Sequence, residues 1–194
     1  RALFTLHDAA AWLPGSRLVG DGATPIARVH TDTRSLQAGD LFVALRGERF
    51  DANDLLAQAL SAGAAAVLAH AGRVPAGASG LEVPDTRLAL GQLAAAWRNR
   101  FEGPLIAITG SNGKTTTTSW LGHILRQAGA NVQVGGNIGV GAGRLLLEPD
   151  ADIYVLEVSS YQLEDCPSFK PDVAVLTNIT PDHLDRYGSL EAYA

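Results

Sequence analysis

The sequence predicts an α/β protein, a small N-terminal α/β unit followed by a second unit built on a mainly parallel sheet. Three observations predict it. Near-continuous apolar runs at 105–109, 153–158 and 172–178 have the pattern of strands covered on both faces. Helical patterns alternate with strand-like runs, which is how helices come to wrap a parallel sheet. In mid-chain, Glu102-Gly103-Pro104 ends one helical pattern immediately before a new strand, and the domain boundary belongs there, giving units 1–101 and 102–194.

In the first unit, strand-like runs at 26–30, 41–45 and 65–69 flank a helix-like stretch at 53–62 that Gly63 closes. Asp85 is placed to cap a second helix, along which Leu93, Trp97 and Phe101 make an apolar stripe at four-residue spacing. The second unit reads strand 105–109, loop, helix 115–128 ended by Gly129, then strands 131–134, 153–158 and 172–178. Ser189 can cap a helix that starts near the last residue. With no methionine anywhere and an end inside that helix, the chain reads as a piece cut from a longer protein.

Composition narrows the functions open to it. With 46% hydrophobic and 18% charged residues, 194 residues suffice to bury a core. A net charge of -5 argues against nucleic acid as a partner, since that footprint needs clustered Lys and Arg. No apolar run is long enough to span a bilayer, and the single Cys166 cannot form an internal disulfide, so a cytoplasmic address is expected. Cys166 precedes Pro167 with no histidine beside it in sequence, and reads as structural.

In parallel sheets, ligands gather at the carboxyl ends of strands. Three segments stand there: 110–116, 157–160 and 178–183. The first is Gly110-Ser111-Asn112-Gly113-Lys114-Thr115-Thr116, between a strand and a helix. Two glycines let the backbone curl until several N–H groups face one phosphate, the helix N-terminus adds positive potential, and Lys114 adds a full charge. The Thr115 hydroxyl is placed for a magnesium ion. The spacing is shorter than the usual G-x-x-x-x-G-K-[ST], because Ile108 stands five residues before Gly113. A plain glycine turn with an exposed lysine is the alternative.

Glu157 closes an otherwise apolar strand, so its carboxylate needs a partner. Magnesium takes one or two carboxylates plus phosphate oxygens, which makes Glu157 a candidate metal ligand, and a structural pair with Lys or Arg is the alternative. His183, in Thr180-Pro181-Asp182-His183-Leu184-Asp185, is either a ligand or a surface hydrogen-bonding residue. Gly135-Gly136-Asn137-Ile138-Gly139 brings backbone and an amide near a ligand, or is a flexible turn. Ser159, Ser160 and Gln162 either bind substrate or cap the following helix.

Together these segments resemble the Mur ligase family, ATP-dependent enzymes that add amino acids to UDP-N-acetylmuramic acid in peptidoglycan synthesis. The four ordered motifs 110–116, 135–139, 154–164 and 178–186 are similar to its D-glutamate-adding branch. Asp32-Thr33-Arg34, the run 39–47 and Ala62-Gly63-Ala64 look instead like the N-terminal domain of the D-alanyl-D-alanine-adding branch. Two branches in one chain imply a chimera, engineered or natural.

The resemblance implies an N-terminal domain that holds the UDP end of the substrate, with Thr33 and Arg34 as contacts; a structural Asp32–Arg34 pair is the alternative. It implies ATP and Mg2+ in the central domain, with Lys114 on phosphate, and Thr115, Glu157 and His183 on the metal. Lys114, Glu157 and His183 would be the catalytic set. Asn137, Ser159 and Gln162 match positions near the muramoyl group. The implied reaction joins a UDP-N-acetylmuramoyl (peptide) carboxylate to an amino acid or dipeptide through an acyl phosphate. The family's carbamylated lysine is expected just past this chain's end, and its C-terminal domain is not in the sequence, so these residues alone are not expected to turn over. Two other readings stay open: a P-loop NTPase or kinase for another metabolite, and a non-catalytic fusion of family pieces.

Overall fold

Apolar runs and glycine punctuation set the element order in the computed structural model, which describes residues 2–139, 141, 145 and 151–193. The chain divides into two units, Arg1–Phe101 and Glu102–Ala194.

The first unit pairs β1 (Phe4–Thr5) with β3 (Pro25–Ile26) and builds a five-stranded sheet in the order β2-β7-β6-β5-β4. Its strands are β2 (Arg17–Val19), β4 (Arg28–His30), β5 (Asp40–Val43), β6 (Ala66–His70) and β7 (Gly80–Val83). Strands β4 to β7 are mutually parallel, and β2 is antiparallel at one edge. Helices α1 (Leu6–Trp12), α2 (Leu56–Ser61) and α3 (Thr86–Arg98) complete the unit. Phe42, Leu56, Ala59, Val67 and Ala69 form its core between α2 and the sheet. The predicted helix at 53–62 is in part a tight turn, 3-10 over Ala52–Leu55, before α2. Asp85 does cap α3, its Oδ1 accepting from the N–H of Arg87 at 2.8 Å and Leu88 at 3.1 Å. The Leu93–Trp97–Phe101 stripe is shorter than predicted, because α3 ends at Arg98 and Phe101 lies past it.

The second unit is an all-parallel sheet ordered β11-β8-β10-β9, from β8 (Leu105–Thr109), β9 (Val132–Gly136), β10 (Ile153–Glu157) and β11 (Val173–Leu176). Helix α4 (Lys114–Gln127) crosses from β8 to β9 and ends where Gly129 takes φ +92°. Its apolar face, with Leu121 and Leu125, packs on Ile108, Val132 and Val155. Further on stand the short helices α5 (Ser160–Asp165), α6 (Leu184–Tyr187) and α7 (Leu190–Tyr193), the last with Ser189 Oγ accepting from Ala192 N–H. One expectation is corrected. Strand β11 is not covered on both faces: it is an edge, with Val173 48% and Leu176 57% exposed.

Candidate functional site

Strand β8 sits between β10 and β11, so its following loop emerges between theirs. Register fixes this, with Ile108 opposite Glu157 and Thr109 opposite Leu176. The sheet therefore delivers 110–116, Glu157–Ser160 and 177–183 to one carboxyl edge, where the strand order turns back across β8.

The phosphate-type loop is fastened to the β11 loop by side-chain and backbone bonds. Ser111 N–H donates to Asn178 O at 3.0 Å, Ser111 Oγ donates to Thr180 O at 2.9 Å, and Thr180 N–H donates back to Ser111 Oγ at 2.9 Å. Asn112 N–H donates to Asn178 Oδ1, while Thr177 Oγ1 and Asn178 Nδ2 donate to Asn112 O. Gly110 has φ +125°, and a Cβ there would collide with Thr177 Oγ1 and the Asn178 backbone. Gly113, at φ +79°, turns the chain into α4. Lys114 Nζ donates to the carbonyls of Gly110 at 2.7 Å and Ser111 at 3.0 Å, which holds the ammonium across the loop; Thr116 is exposed on the first turn.

Glu157 is 3% exposed, and its partners are neutral. Thr115 Oγ1 donates to Oε2 at 2.8 Å, and Asn137 Nδ2 donates to Oε1 at 3.4 Å. Asn137 N–H also donates to Glu157 O at 2.8 Å, and Gly136 is needed beside it, since a Cβ there would strike that same carbonyl. No ion pair to Lys or Arg accounts for Glu157 among the described residues. A buried carboxylate beside a hydroxyl, at the foot of a loop of N–H groups, is a hard oxygen donor set that fits Mg2+. Among the described residues, no three His, Cys, Asp or Glu side chains gather as a metal cluster.

Ser159 and Gln162 resolve toward the capping alternative. Ser159 N–H donates to Gln162 Oε1 at 2.9 Å and Gln162 N–H to Ser159 Oγ at 3.3 Å, a reciprocal capping box at the start of α5. His183 stands at the head of α6 in the left-handed region, φ +52°. It makes no hydrogen bond to Thr115 or Glu157; its neighbours are Asp182, Tyr161 (4.7 Å between ring centroids) and Tyr193 (6.4 Å). Ser111 Oγ reaches the Tyr193 hydroxyl at 3.1 Å. Burial lifts the Tyr161 phenol above its ordinary range, with Asp185 adding to it, and the Glu164 carboxylate raises Arg186 further. Sequence reading missed this aromatic cluster, although Tyr161 lies inside the 154–164 motif and Tyr187 directly follows the 178–186 motif. Cys166 is exposed at the end of α5, so it contributes nothing to a core.

In the first unit, Thr33 and Arg34 lie in a 3-10 turn after β4. Arg34 Nη2 pairs with Asp32 at 2.7 Å, holding the Asp32 carboxyl well below its ordinary range. A cleft of about 470 Å3 opens instead at the carboxyl ends of β5, β6 and β7, lined by Arg46, Glu48, His70, Asp85 and Arg87 among others. Sequence analysis marks Asp85 only as a helix cap and Arg46 only within the run 39–47, because the lining comes from three separate strand ends. Below them, buried Asn53 bonds His70 through both its amide atoms, and Thr86 Oγ1 donates to Ala44 O at 2.7 Å. No helix of the described residues is long and apolar enough to cross a membrane.

Comparison with known proteins places this geometry. Residues 108–194 match the family model for the Mur ligase middle domain, and residues 25–98 that for the Mur ligase family catalytic domain. A UDP-N-acetylmuramoylalanine--D-glutamate ligase of Cytophaga hutchinsonii is 56% identical over 99 residues, 50% of this chain and 22% of that protein. The crystal structure of MurF from Acinetobacter baumannii superposes with a TM-score of 0.77 at 33% identity, covering 96% of this chain and 43% of that one. MurF ligase from Thermotoga maritima, crystallised in complex with ADP, gives 0.72 at 31% identity, covering 86% and 40%. The chain spans less than half the length of each of these proteins.

Proposed function

The chain belongs to the Mur ligase family, and from that premise we propose that it carries the nucleotide site, and part of the substrate site, of an ATP-dependent ligase of peptidoglycan synthesis. The observation that carries this reading is the hydrogen bond from Thr115 to buried Glu157 at the foot of the 110–116 loop. It joins the phosphate-binding loop to an acidic group that has no cationic partner among the described residues.

In this reading the N–H groups of Gly113, Lys114 and Thr115, at the N-terminus of α4, cradle ATP phosphates, while those of Ser111 and Asn112 hold the loop to Asn178. Lys114 supplies charge against the transferring phosphoryl group, and Thr115 and Glu157 would hold Mg2+, with His183 as a further ligand. Bound magnesium neutralises phosphate oxygens. Asn137 orients the Glu157 carboxylate and serves the muramoyl end, while Ser159 and Gln162 cap α5. The Arg1–Phe101 unit holds the UDP end through Thr33 and Arg34, at the edge that also carries the Arg46–Arg87 cleft. The ligation itself makes an acyl phosphate on the substrate carboxylate with release of ADP, and an incoming amine then displaces phosphate to form the amide. The ADP complex of the Thermotoga maritima relative supports the nucleotide half of this reading.

Calorimetric titrations test it. Magnesium-ATP, UDP-MurNAc, UDP-MurNAc-L-alanine and UDP-MurNAc-tripeptide are titrated in parallel into the native chain, Lys114→Ala and Arg34→Ala. Lys114→Ala should abolish the magnesium-ATP heat alone, and Arg34→Ala should weaken only the UDP ligands. Magnesium-ATP binding unchanged in Lys114→Ala would remove the loop from the site. Which UDP ligand binds tightest assigns the branch that the first unit serves.

A further inference from the structure

Helix α5 begins three residues after Glu157, and His183 is the N-cap of α6. Neither exceeds six residues, far short of a length that holds in isolation, so contacts between them must fix their placement. One cluster provides those contacts. On α5, Tyr161 and Glu164 are three residues apart and share a face. On α6, Arg186 donates to Glu164 Oε2 from Nε at 3.1 Å and from Nη2 at 2.8 Å, and Tyr187 hydroxyl donates to the same oxygen at 3.2 Å. The Arg186 guanidinium lies 4.5 Å from the Tyr161 ring centroid, and that ring lies 4.7 Å from the His183 imidazole. His183 carries a backbone conformation that a non-glycine residue keeps only where its surroundings hold it.

We infer that the Arg186–Glu164 pair, stacked on Tyr161, is a positioning clasp that ties the helix following Glu157 to the helix headed by His183, so that both side chains reach one magnesium ion. This rests on the reading of His183 as a metal ligand. The clasp acts through His183 and touches neither nucleotide nor metal. Its members are partly exposed, with Arg186 44% and Glu164 51% accessible, so reversing them spares the core of the unit.

The test uses Mn2+ with the β,γ-imido analogue of ATP on the 194-residue chain, reading free Mn2+ by electron paramagnetic resonance and broadening of the His183 ring signals by NMR. Arg186→Glu and Glu164→Arg should each weaken Mn2+ binding roughly three- to tenfold, the scale of one exposed ion pair with a cation–π contact, and diminish the broadening. The double reversal should restore most of both, which a generally loosened fold would not do. If the single reversals leave Mn2+ binding unchanged while His183→Ala weakens it, or if the double reversal restores nothing, the clasp is overturned. If His183→Ala itself leaves Mn2+ binding unchanged, the ligand reading of His183 falls, and the clasp falls with it.

Discussion

The two units end their parallel strands in different ways. In Arg1–Phe101 the strand-end polar groups close on themselves or on the scaffold: Asp32 with Arg34 two residues on, Asp85 with the first turn of α3, and Asn53 and Thr86 with the chain beneath. In Glu102–Ala194 they knit across strands, with Ser111 and Asn112 bonded to residues more than sixty positions away and Thr115 to Glu157. A pair two residues apart forms wherever its turn forms, and says little about a ligand. Distant residues bonded around one glycine-rich loop, with a buried carboxylate held by neutral donors at its base, form a surface whose shape depends on the whole sheet.

The contrast can be broken experimentally. Gly110→Ala should have the largest effect, because it adds both a left-handed strain and a collision with Thr177 and Asn178; about 3 kcal/mol of stability is expected to go. Thermal unfolding measures it, and a loss below 1 kcal/mol would show that the two loops are only loosely joined. Thr86→Val comes next, at about 1–2 kcal/mol, since it removes a buried hydrogen bond to Ala44 O. Magnesium-ATP affinity should be unchanged in that variant, and a parallel loss would tie the first unit's interior to the proposed nucleotide site.

The gentlest test is acid. Asp8, Asp32, Asp51, Glu82 and Asp85 titrate below their ordinary values, each through accepted hydrogen bonds: from Thr5 to Asp8, Arg34 to Asp32, Asn53 to Asp51, and Leu88 and Arg87 to Asp85. For Glu82 burial opposes the shift, but the N–H groups of Gly72 and Val74 and the Arg17 guanidinium outweigh it. A carboxyl whose folded pKa is depressed contributes stability that is complete above its unfolded pKa and lost as pH falls through the folded one. Acidification below the ordinary 3.8 of Asp should therefore loosen Arg1–Phe101 progressively. Amide exchange read residue by residue checks this, and earlier opening of β8 and β10 would contradict it.

Much of the candidate site could be read from sequence because each motif is short and follows an apolar run with the pattern of a strand. Glycines 110 and 113, Lys114 and Glu157 stand where that logic puts them. Ser159 and Gln162 were ambiguous because S-x-x-Q is equally a capping box, and packing was needed to show them bonded to each other. Strand β7 escaped notice because its buried Glu82 breaks the apolar pattern, and its partner Arg17 is sixty-five residues away. The exposed sides of β11 were hidden for the opposite reason, since an edge strand and a central one share the same Val and Leu run. The tyrosines around His183 carry no local signal at all.

The central position of β8 also sets a timetable. Its neighbours β10 and β11 lie roughly fifty and seventy residues further along the chain, pairings of the slow, non-local kind. During synthesis the 110–116 loop leaves the ribosome well before residues 177–180, which supply most of its anchoring bonds. The first of these motifs to be made thus waits for a later one, and the proposed capacity to hold nucleotide should appear only as β11 docks.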